Sequence, residues 1–225
     1  MTRVTVLIPM KGLNAAKSRL SPVLNPEQRA RLAEEMLLNV LRSAGQCPSI
    51  ERRVVVSGDQ EVLSLALKQG AEVLHESGGG LNAALSEATV WLGGAAVDAV
   101  LILPGDLPLL RASDAESLVE LAKGAKAMVV APSRDGSGTN ALLLKPPGVI
   151  PYMFGPRSFR KHLAAARAAG VPARVYRSEG VTFDVDTPGD WEEYYPRKRD
   201  GAGEYCSVGA VDRRAGTFFR QDAQG

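Results

Sequence analysis

The chain alternates short apolar runs with longer segments whose apolar residues recur at helical spacing. Uninterrupted apolar runs such as Val4–Ile8 and Ala99–Leu103 predict buried strands. Between them, Leu32, Met36 and Val40 recur every three to four residues, which predicts an amphipathic helix. Strands that alternate with helices form βαβ units with right-handed crossovers. The pattern therefore predicts an α/β fold, an open and mostly parallel sheet with helices on both faces.

The same patterns predict the order of the elements. Strands are predicted at Val4–Ile8, Arg53–Val56, Glu72–Leu74, Ala99–Leu103, Met128–Ala131, Ala141–Leu144, Arg174–Tyr176 and Val181–Val185. A first helix is predicted to begin at Asn25-Pro26-Glu27-Gln28, where Asn25 is the N-cap and Gln28 closes a capping box. Further helices are predicted at Val62–Lys68, Leu81–Leu92, Ser113–Ala122 (Ser113 as cap), Ser158–Ala169 and Thr187–Tyr194.

Charge and composition divide the chain into a body and an extension. The chain has 27 basic and 25 acidic residues, of which six basic and four acidic residues lie from Arg197 onward, so the body carries 21 residues of each sign. A neutral body gives no general reason to bind nucleic acid, and a polyanionic ligand must be met by a few placed cations. We predict a single domain at 1–196 and a flexible extension at 197–225, which is rich in glycine and has no sustained period.

Targeting signals and cysteine spacing add little to this picture. Cys47 and Cys206 lie far apart and form neither a disulfide framework nor a metal motif. The apolar run near the N-terminus lacks the layout of a signal peptide, and no run approaches the length of a membrane span. The expected compartment is the cytoplasm.

Three cations follow the first predicted strand. Lys11, Lys17 and Arg19 lie within nine residues, at the place where an α/β sheet commonly binds phosphates. A solvated loop with scattered basic residues is the alternative interpretation of this segment. If the loop binds a ligand, a nucleoside triphosphate is the natural choice, because a body without net charge needs a local cluster of cations to attract a triphosphate.

Three aspartates follow other predicted strands. Asp106, in Pro104-Gly105-Asp106, follows a buried strand and could bind Mg²⁺, although the same tripeptide is common turn chemistry. Asp184 and Asp186 lie two apart on a predicted strand and would face the same side about 6.6 Å apart. Two carboxylates at that distance repel each other, which favours a nearby cation. Alternatively, Asp186 before Thr187-Pro188 could be a helix cap.

Two further segments have weaker interpretations. Gly136-Ser137-Gly138-Thr139-Asn140-Ala141 matches a dinucleotide motif in letters only, because it follows a loop and leads into a strand, so it predicts either a ligand loop or a plain turn. Gly78-Gly79-Gly80 could be a helix entry or a close approach to a base. His162 lies in a predicted helix and is interpreted as an ordinary surface or half-buried residue.

Taken together, these motifs resemble the phosphoenolpyruvate and 2-phospho-L-lactate guanylyltransferases that serve the biosynthesis of a deazaflavin redox coenzyme. That family is grouped with the molybdopterin-guanylyltransferase-like nucleotidyltransferases. The resemblance spans about residues 4–194 and is carried by Pro9-Met10-Lys11, Ala16-Lys17-Ser18-Arg19-Leu20, Gly79-Gly80-Leu81-Asn82, Pro104-Gly105-Asp106-Leu107-Pro108, Gly138-Thr139-Asn140, Phe154-Gly155-Pro156-Arg157-Ser158-Phe159 and Asp184-Val185-Asp186-Thr187-Pro188.

The resemblance implies a Rossmann-like fold of the nucleotide-diphospho-sugar transferase type and a reaction that joins phosphoenolpyruvate to GTP with release of pyrophosphate. The same reaction on 2-phospho-L-lactate, another nucleotidyl transfer to a cofactor or sugar phosphate, and a non-catalytic GTP-binding module are the alternatives. By carry-over, the implied site residues are Lys17 and Asp106 for catalysis, Asp106, Asp184 and Asp186 for Mg²⁺, Lys11, Lys17, Arg19, Gly79, Leu81 and Asn82 for the nucleotide, and Thr139, Gly155 and Ser158 for the phospho-acid.

Overall fold

A single seven-stranded sheet forms the centre of the molecule. The computed structural model describes residues 3–93 and 97–200. The strands lie in the order β3-β2-β1-β4-β6-β5-β7. Their bounds are β1 Val4–Pro9, β2 Ile50–Ser57, β3 Glu72–His75, β4 Ala99–Ile102, β5 Ala127–Pro132, β6 Thr139–Lys145 and β7 Ala173–Val175.

Strand β6 runs against the other strands. It pairs antiparallel with both β4 and β5, whereas the remaining pairs are parallel. Only residues 133–138 connect β5 to β6, which is too short for the crossover that a parallel pair needs. The prediction of a mostly parallel sheet is confirmed, and the reversal places the start of β6 beside the ends of its parallel neighbours.

Helices cover both faces of the sheet, as predicted. They are α1 Pro26–Gly45, α2 Gln60–Lys68, α3 Leu81–Leu92, α4 Ala112–Glu120, α5 Ser158–Ala168, α6 Glu179–Thr182 and α7 Pro188–Asp200. A first core joins the sheet to α1, α2, α4 and α6, and a second core joins its other face to α3 and α5. A third cluster packs α7 against the start of α1.

The local signals at helix starts are confirmed in one case and wrong in another. The side chain of Asn25 accepts a hydrogen bond from the backbone of Gln28, whose side chain accepts one in return, so the predicted capping box is present. Ser113 does not cap α4. The cap position is Arg111, whose N–H donates to the carboxylate of Asp114, so the acidic residue that follows Ser113 performs the role.

The predicted strand Val181–Val185 does not form. Ser178 instead caps the four-residue helix α6, and its Oγ accepts a hydrogen bond from Val181 N. Gly180 packs so closely on α4 that a Cβ there would lie 2.2 Å from Asp114 Oδ2. The alternating pattern arises because Phe183 and Val185 are buried against α1 and α7 rather than in the sheet.

Helix α7 extends beyond the predicted end of the domain at residue 196, since it runs to Asp200. Arg197 there forms ion pairs with Glu179 and Glu193. The remainder of the predicted extension, residues 201–225, lies outside the described residues. Within the described part of the chain, no helix combines the length and apolar character needed to cross a membrane.

Candidate functional site

The predicted site residues gather at one edge of the sheet. Parallel strands β1 and β4 both end there, so the segments that carry Lys17 and Asp106 leave the sheet side by side. Because β6 is reversed, its first residue, Thr139, reaches the same edge. Residues distant in sequence therefore meet because of topology alone.

Lys17 lies between two of the three predicted aspartates. Its Nζ is 2.9 Å from Asp106 Oδ2 and 2.8 Å from Asp186 Oδ1, and its side chain is only 4% exposed. Burial by itself lowers the pKa of Lys17, but the charges and hydrogen bonds of Asp106 and Asp186 outweigh this, and the pKa is raised. The ammonium is therefore fixed in its charged form.

Asp184 completes the group, which we call the acidic cluster: Asp106, Asp184 and Asp186 with Lys17. Burial, followed by the charges of Asp186 and Asp106, raises the pKa of Asp184 from 3.8 to about 6. One lysine therefore does not balance three carboxylates. Among the described residues, no three His, Cys, Asp or Glu side chains are placed to hold a metal ion as they stand, since Lys17 occupies the space between two of them.

The backbone at Lys17 is unusual. Its φ of 56° and ψ of 33° place it in the left-handed region, which non-glycine residues seldom adopt. Within the described residues, the only other non-glycine residue with positive φ is Arg157, directly before Ser158. Both positions lie in predicted binding segments, where local strain is commonly retained for function.

Helix α1 holds the loop that carries Asp106, through a residue that the sequence reasoning did not select. The side-chain amide of Asn39 lies 3.1–3.2 Å from the carbonyl oxygens of Leu107, Pro108 and Leu110. Gly105 lies close to Met10 in this loop, because a Cβ there would be 2.9 Å from the sulfur of Met10, whose side chain would have to move. A polar residue on a mostly apolar helix face was the available signal for Asn39.

Asp186 is not the cap of α7. Thr187 Oγ1 accepts a hydrogen bond from Asp190 N, and the Asp190 carboxylate accepts one from Thr187 N, which is the reciprocal pattern of a capping box. The carboxylate of Asp186 is thereby left to pair with Lys17. Capping and charge pairing fall to neighbouring residues rather than to one.

The glycine-containing loop between β5 and β6 is a self-contained turn. Asp135 accepts hydrogen bonds from the hydroxyls of Ser133 and Ser137 and from the backbone of Ser137, which lowers its pKa to about 2. Gly138 N donates to Ser133 Oγ. A strand follows and no helix, so rejection of the dinucleotide motif is confirmed.

Three consecutive glycines lead into α3. Gly78, Gly79 and Gly80 have φ of 96°, 95° and 85°, a run that only glycine adopts without strain. Leu81 begins the helix with its side chain partly exposed. The carboxamide of Asn82 binds both the N–H and the C=O of Phe154, at 2.8 and 3.1 Å. This second predicted nucleotide segment is therefore tied to the segment predicted for the phospho-acid.

The start of β6 contains a β-bulge. Ala131 pairs with Ala141 but the next residue, Pro132, pairs with Thr139, so Asn140 is an extra residue in β6. Bulges of this kind re-aim side chains near sites.

The bulge directs two neighbouring side chains to opposite layers. Asn140 Nδ2 donates to the carbonyl of Thr182 in α6, on the side of the first core. Thr139 Oγ1 lies 3.1 Å from His162 Nδ1 of α5, on the side of the second core. His162 is fully buried, so the interpretation of it as a surface or half-buried residue is wrong.

The other predicted residues lie around this centre. Ser158 is buried at the start of α5, and Gly155 precedes it with a φ of 115°. Lys11 and Arg19 are exposed. The structure thus brings Lys17 and the three aspartates into direct contact or close charge interaction, ties Asn82 to Phe154, and places Lys11, Arg19, Gly79 and Leu81 without contacts that define a role.

Residues 4–202 match the family model described as "Guanylyl transferase CofC like". The chain belongs to this guanylyl transferase family. It is 45% identical over 190 residues to a phosphoenolpyruvate guanylyltransferase of Rubrobacter xylanophilus, covering 83% of this chain and 91% of that protein. It is also 36% identical over 192 residues to a 2-phospho-L-lactate guanylyltransferase of Methanothermobacter thermautotrophicus, covering 85% of this chain and 83% of that one.

Solved structures confirm the predicted fold type for this guanylyl transferase. A putative nucleotide-diphospho-sugar transferase from Desulfovibrio desulfuricans superposes with a TM-score of 0.70 at 15% identity, covering 90% of both chains. A CMP:2-keto-3-deoxy-manno-octonic acid synthetase solved with CTP superposes with a TM-score of 0.58 at 15% identity, covering 89% of this chain and 100% of the other.

The arrangement suits a nucleotidyltransferase on chemical grounds. Carboxylates and an ammonium lie together where the fold places ligands, and hydroxyl and backbone donors lie at the same edge. None of these groups is a serine or cysteine nucleophile paired with a base. Catalysis by such a site rests on positioning and on neutralising phosphate charge.

Proposed function

We propose that this guanylyl transferase joins phosphoenolpyruvate to GTP. A phosphate oxygen of phosphoenolpyruvate attacks the α-phosphorus of GTP, a new P–O–P bond forms, and the bond to the β-phosphate breaks with release of pyrophosphate. The observation that carries the proposal is the acidic cluster around Lys17, placed at the same sheet edge as Thr139. Such an edge can hold a triphosphate and an acidic acceptor next to each other.

The basic loop is assigned to the triphosphate in this proposal. Lys11 and Arg19 are exposed, which supports their assignment to an incoming polyanion, and the guanidinium of Arg19 can bind two phosphate oxygens at once. Lys17 is assigned to the reacting phosphate, which requires it to exchange at least one carboxylate partner for a phosphate oxygen. Gly79, Leu81 and Asn82 are assigned to the base side of the nucleotide.

We also propose that Asp106, Asp184 and Asp186 hold Mg²⁺. Carboxylate oxygens are the donors that this ion prefers, together with phosphate oxygens. The raised pKa of Asp184 supports the assignment, because burial and the charges of Asp186 and Asp106 disfavour its ionised form, and a bound cation would offset that cost. When bound, the ion supplies charge neutralisation and orientation of nucleotide phosphates.

The acceptor is assigned to the start of α5 and β6. Ser158 begins α5, whose N-terminal end favours an anion, and Gly155 and Thr139 lie in the neighbouring segments. The relative that is 45% identical is named for phosphoenolpyruvate, and the one that is 36% identical for 2-phospho-L-lactate. The second acid is therefore the alternative acceptor, and it differs too little in shape for one sequence to exclude it.

A side-by-side assay tests the proposal. The protein is incubated with GTP, Mg²⁺ and one acid at a time, phosphoenolpyruvate, 2-phospho-L-lactate or 3-phosphoglycerate, and pyrophosphate release is followed. We expect the fastest release with phosphoenolpyruvate, and CTP should not replace GTP. No release with any of the three acids would defeat the proposal, and faster release with 2-phospho-L-lactate would transfer it to that acid.

A further inference from the structure

His162 is a buried histidine whose two ring nitrogens both have partners. Nε2 lies 3.0 Å from the backbone nitrogen of Met153, and Nδ1 lies 3.1 Å from Thr139 Oγ1. The ring also makes an edge contact with Phe154, with centroids 5.1 Å apart. We call Thr139, His162 and Met153 the histidine network.

The contact with Met153 determines the tautomer. A backbone N–H can only donate, so Nε2 must accept and cannot carry a proton. Burial, with a smaller contribution from Lys161, lowers the pKa of His162 to about 4, so the ring is neutral near pH 7. A neutral imidazole carries one proton, which must therefore be on Nδ1. Nδ1–H then donates to the hydroxyl of Thr139.

This hydrogen bond gives the Thr139 hydroxyl a direction. A threonine hydroxyl offers one proton and two lone pairs, and His162 uses a lone pair. The hydroxyl proton is left for another acceptor. At a site for an acidic substrate, the acceptor of that proton is a phosphate or carboxylate oxygen, which forms a charge-assisted bond.

We infer that His162 is a positioning residue, which presents Thr139 as a hydrogen-bond donor to the acid substrate. The inference rests on the proposed function and adds a residue that acts through Thr139 without touching substrate. It also gives the fully buried histidine of α5 a role, because a leucine there would leave Thr139 free to turn its proton away.

The same network fixes the segment before Ser158. His162 holds Met153 N, and Asn82 holds both polar backbone groups of the next residue, Phe154. Three hydrogen bonds thus tie α5 and α3 to one two-residue stretch, and a fourth ties α5 to Thr139 of β6. Loss of the Met153 bond alone should loosen that stretch, whereas loss of the Thr139 bond alone should affect only the hydroxyl.

The wild-type protein provides a first test that needs no substitution. The chain has two histidines, His75 and His162, so long-range nitrogen–proton correlation spectra of ¹⁵N-histidine-labelled protein are readily assigned. We expect one ring at pH 7 in the Nδ1–H tautomer, with Nε2 unprotonated and unchanged down to pH 6. An Nε2–H tautomer, or a doubly protonated ring, for His162 would overturn the inference.

Two substitutions separate the two hydrogen bonds. An asparagine amide can replace Nδ1, so His162→Asn can keep the donor to Thr139, whereas a glutamine carbonyl can replace Nε2, so His162→Gln can keep the acceptor for Met153. We expect His162→Gln to raise the KM for phosphoenolpyruvate about tenfold, the effect of one oriented hydrogen bond, with the KM for GTP unchanged. His162→Asn should retain most of the affinity for the acid.

Thr139→Val and His75→Gln complete the experiment. If His162 acts through Thr139, adding His162→Gln to Thr139→Val should raise the KM for the acid no further, while exposed His75→Gln should leave both KM values unchanged. Equal increases in the KM values for GTP and acid in His162→Gln would show a structural role and overturn the inference. Absence of pyrophosphate release by the wild type would instead defeat the proposed function, and the spectrum would still report the tautomer.

Discussion

The acidic cluster and the histidine network lie at the same edge of the sheet but are built in opposite ways. In the acidic cluster, one lysine faces three carboxylates, and burial together with the charges of Asp186 and Asp106 raises the pKa of Asp184 to about 6. In the histidine network every buried polar atom named above has a partner and the ring is neutral. The first region retains an electrostatic cost that a bound cation can relieve, whereas the second is ordered before any ligand binds.

Asp106→Asn should break the acidic cluster with the largest effect. The substitution removes a carboxylate from Lys17 and from the proposed Mg²⁺ site, and we expect kcat for pyrophosphate release to fall about 10³-fold, as losing a metal ligand typically does. Asp98→Asn is the control, since Asp98 pairs with Arg3 at the opposite edge of the sheet. Equal activity of the two variants would show that Asp106 is only a turn residue.

Asp184→Asn should sharpen the comparison by removing the unbalanced charge. Because the pKa of Asp184 rises from 3.8 to about 6 on folding, the native state binds more protons than the unfolded state between those values, and the ionised group costs stability above pH 6. In EDTA at pH 8 the variant should be more stable by about 1–2 kcal/mol, allowing for solvent screening.

The pH dependence of that gain identifies its cause. As the pH falls from about 6 to 4, Asp184 becomes protonated in the wild type, so the difference in unfolding free energy should shrink towards zero. Urea unfolding of both proteins at several pH values measures it. A gain that stays constant with pH would point to packing instead of charge, and a loss of stability at pH 8 would contradict the prediction.

Asn39→Ala should have the smallest effect and tests how the Asp106 loop is held. It removes the donor to three carbonyl groups, and we expect a loss of about 1 kcal/mol in stability with a several-fold fall in kcat. Ser43→Ala is the matched control, because Ser43 donates only to Leu110 in the same loop, farther from Asp106. It should lose comparable stability and keep its kcat; an equal fall in kcat would refute the link to Asp106.

Sequence reasoning worked best where interactions within one stretch of chain determine the structure of that stretch. The capping box of Asn25 and the bounds Leu81–Leu92 of α3 were predicted correctly because local hydrogen bonds and local periodicity determine them. The buried strands β1 and β4 were found for the same reason, since strands covered on both faces are apolar throughout.

It failed where a distant partner decides. The alternation at Val181–Val185 is real, but it arises from burial against α1 and α7. The segment is not one of the seven strands of the sheet. Three cations near the first strand were visible, yet only the fold shows that Lys17 alone turns inward between Asp106 and Asp186. The direction of β6 could have been predicted, because residues 133–138 are too few for a crossover.

The extra residue in β6 decides which layer of the molecule the proposed acid-binding residue Thr139 occupies. Side chains alternate along a strand, so Thr139, two residues before Ala141, would share the layer of Ala141 if the three residues paired in regular register and Asn140 did not bulge. A strand that kept Asn140 but paired without the bulge would have the same threonine and the same histidine in its sequence. They would nevertheless lie on opposite sides of the sheet, and the hydrogen bond between them would be lost.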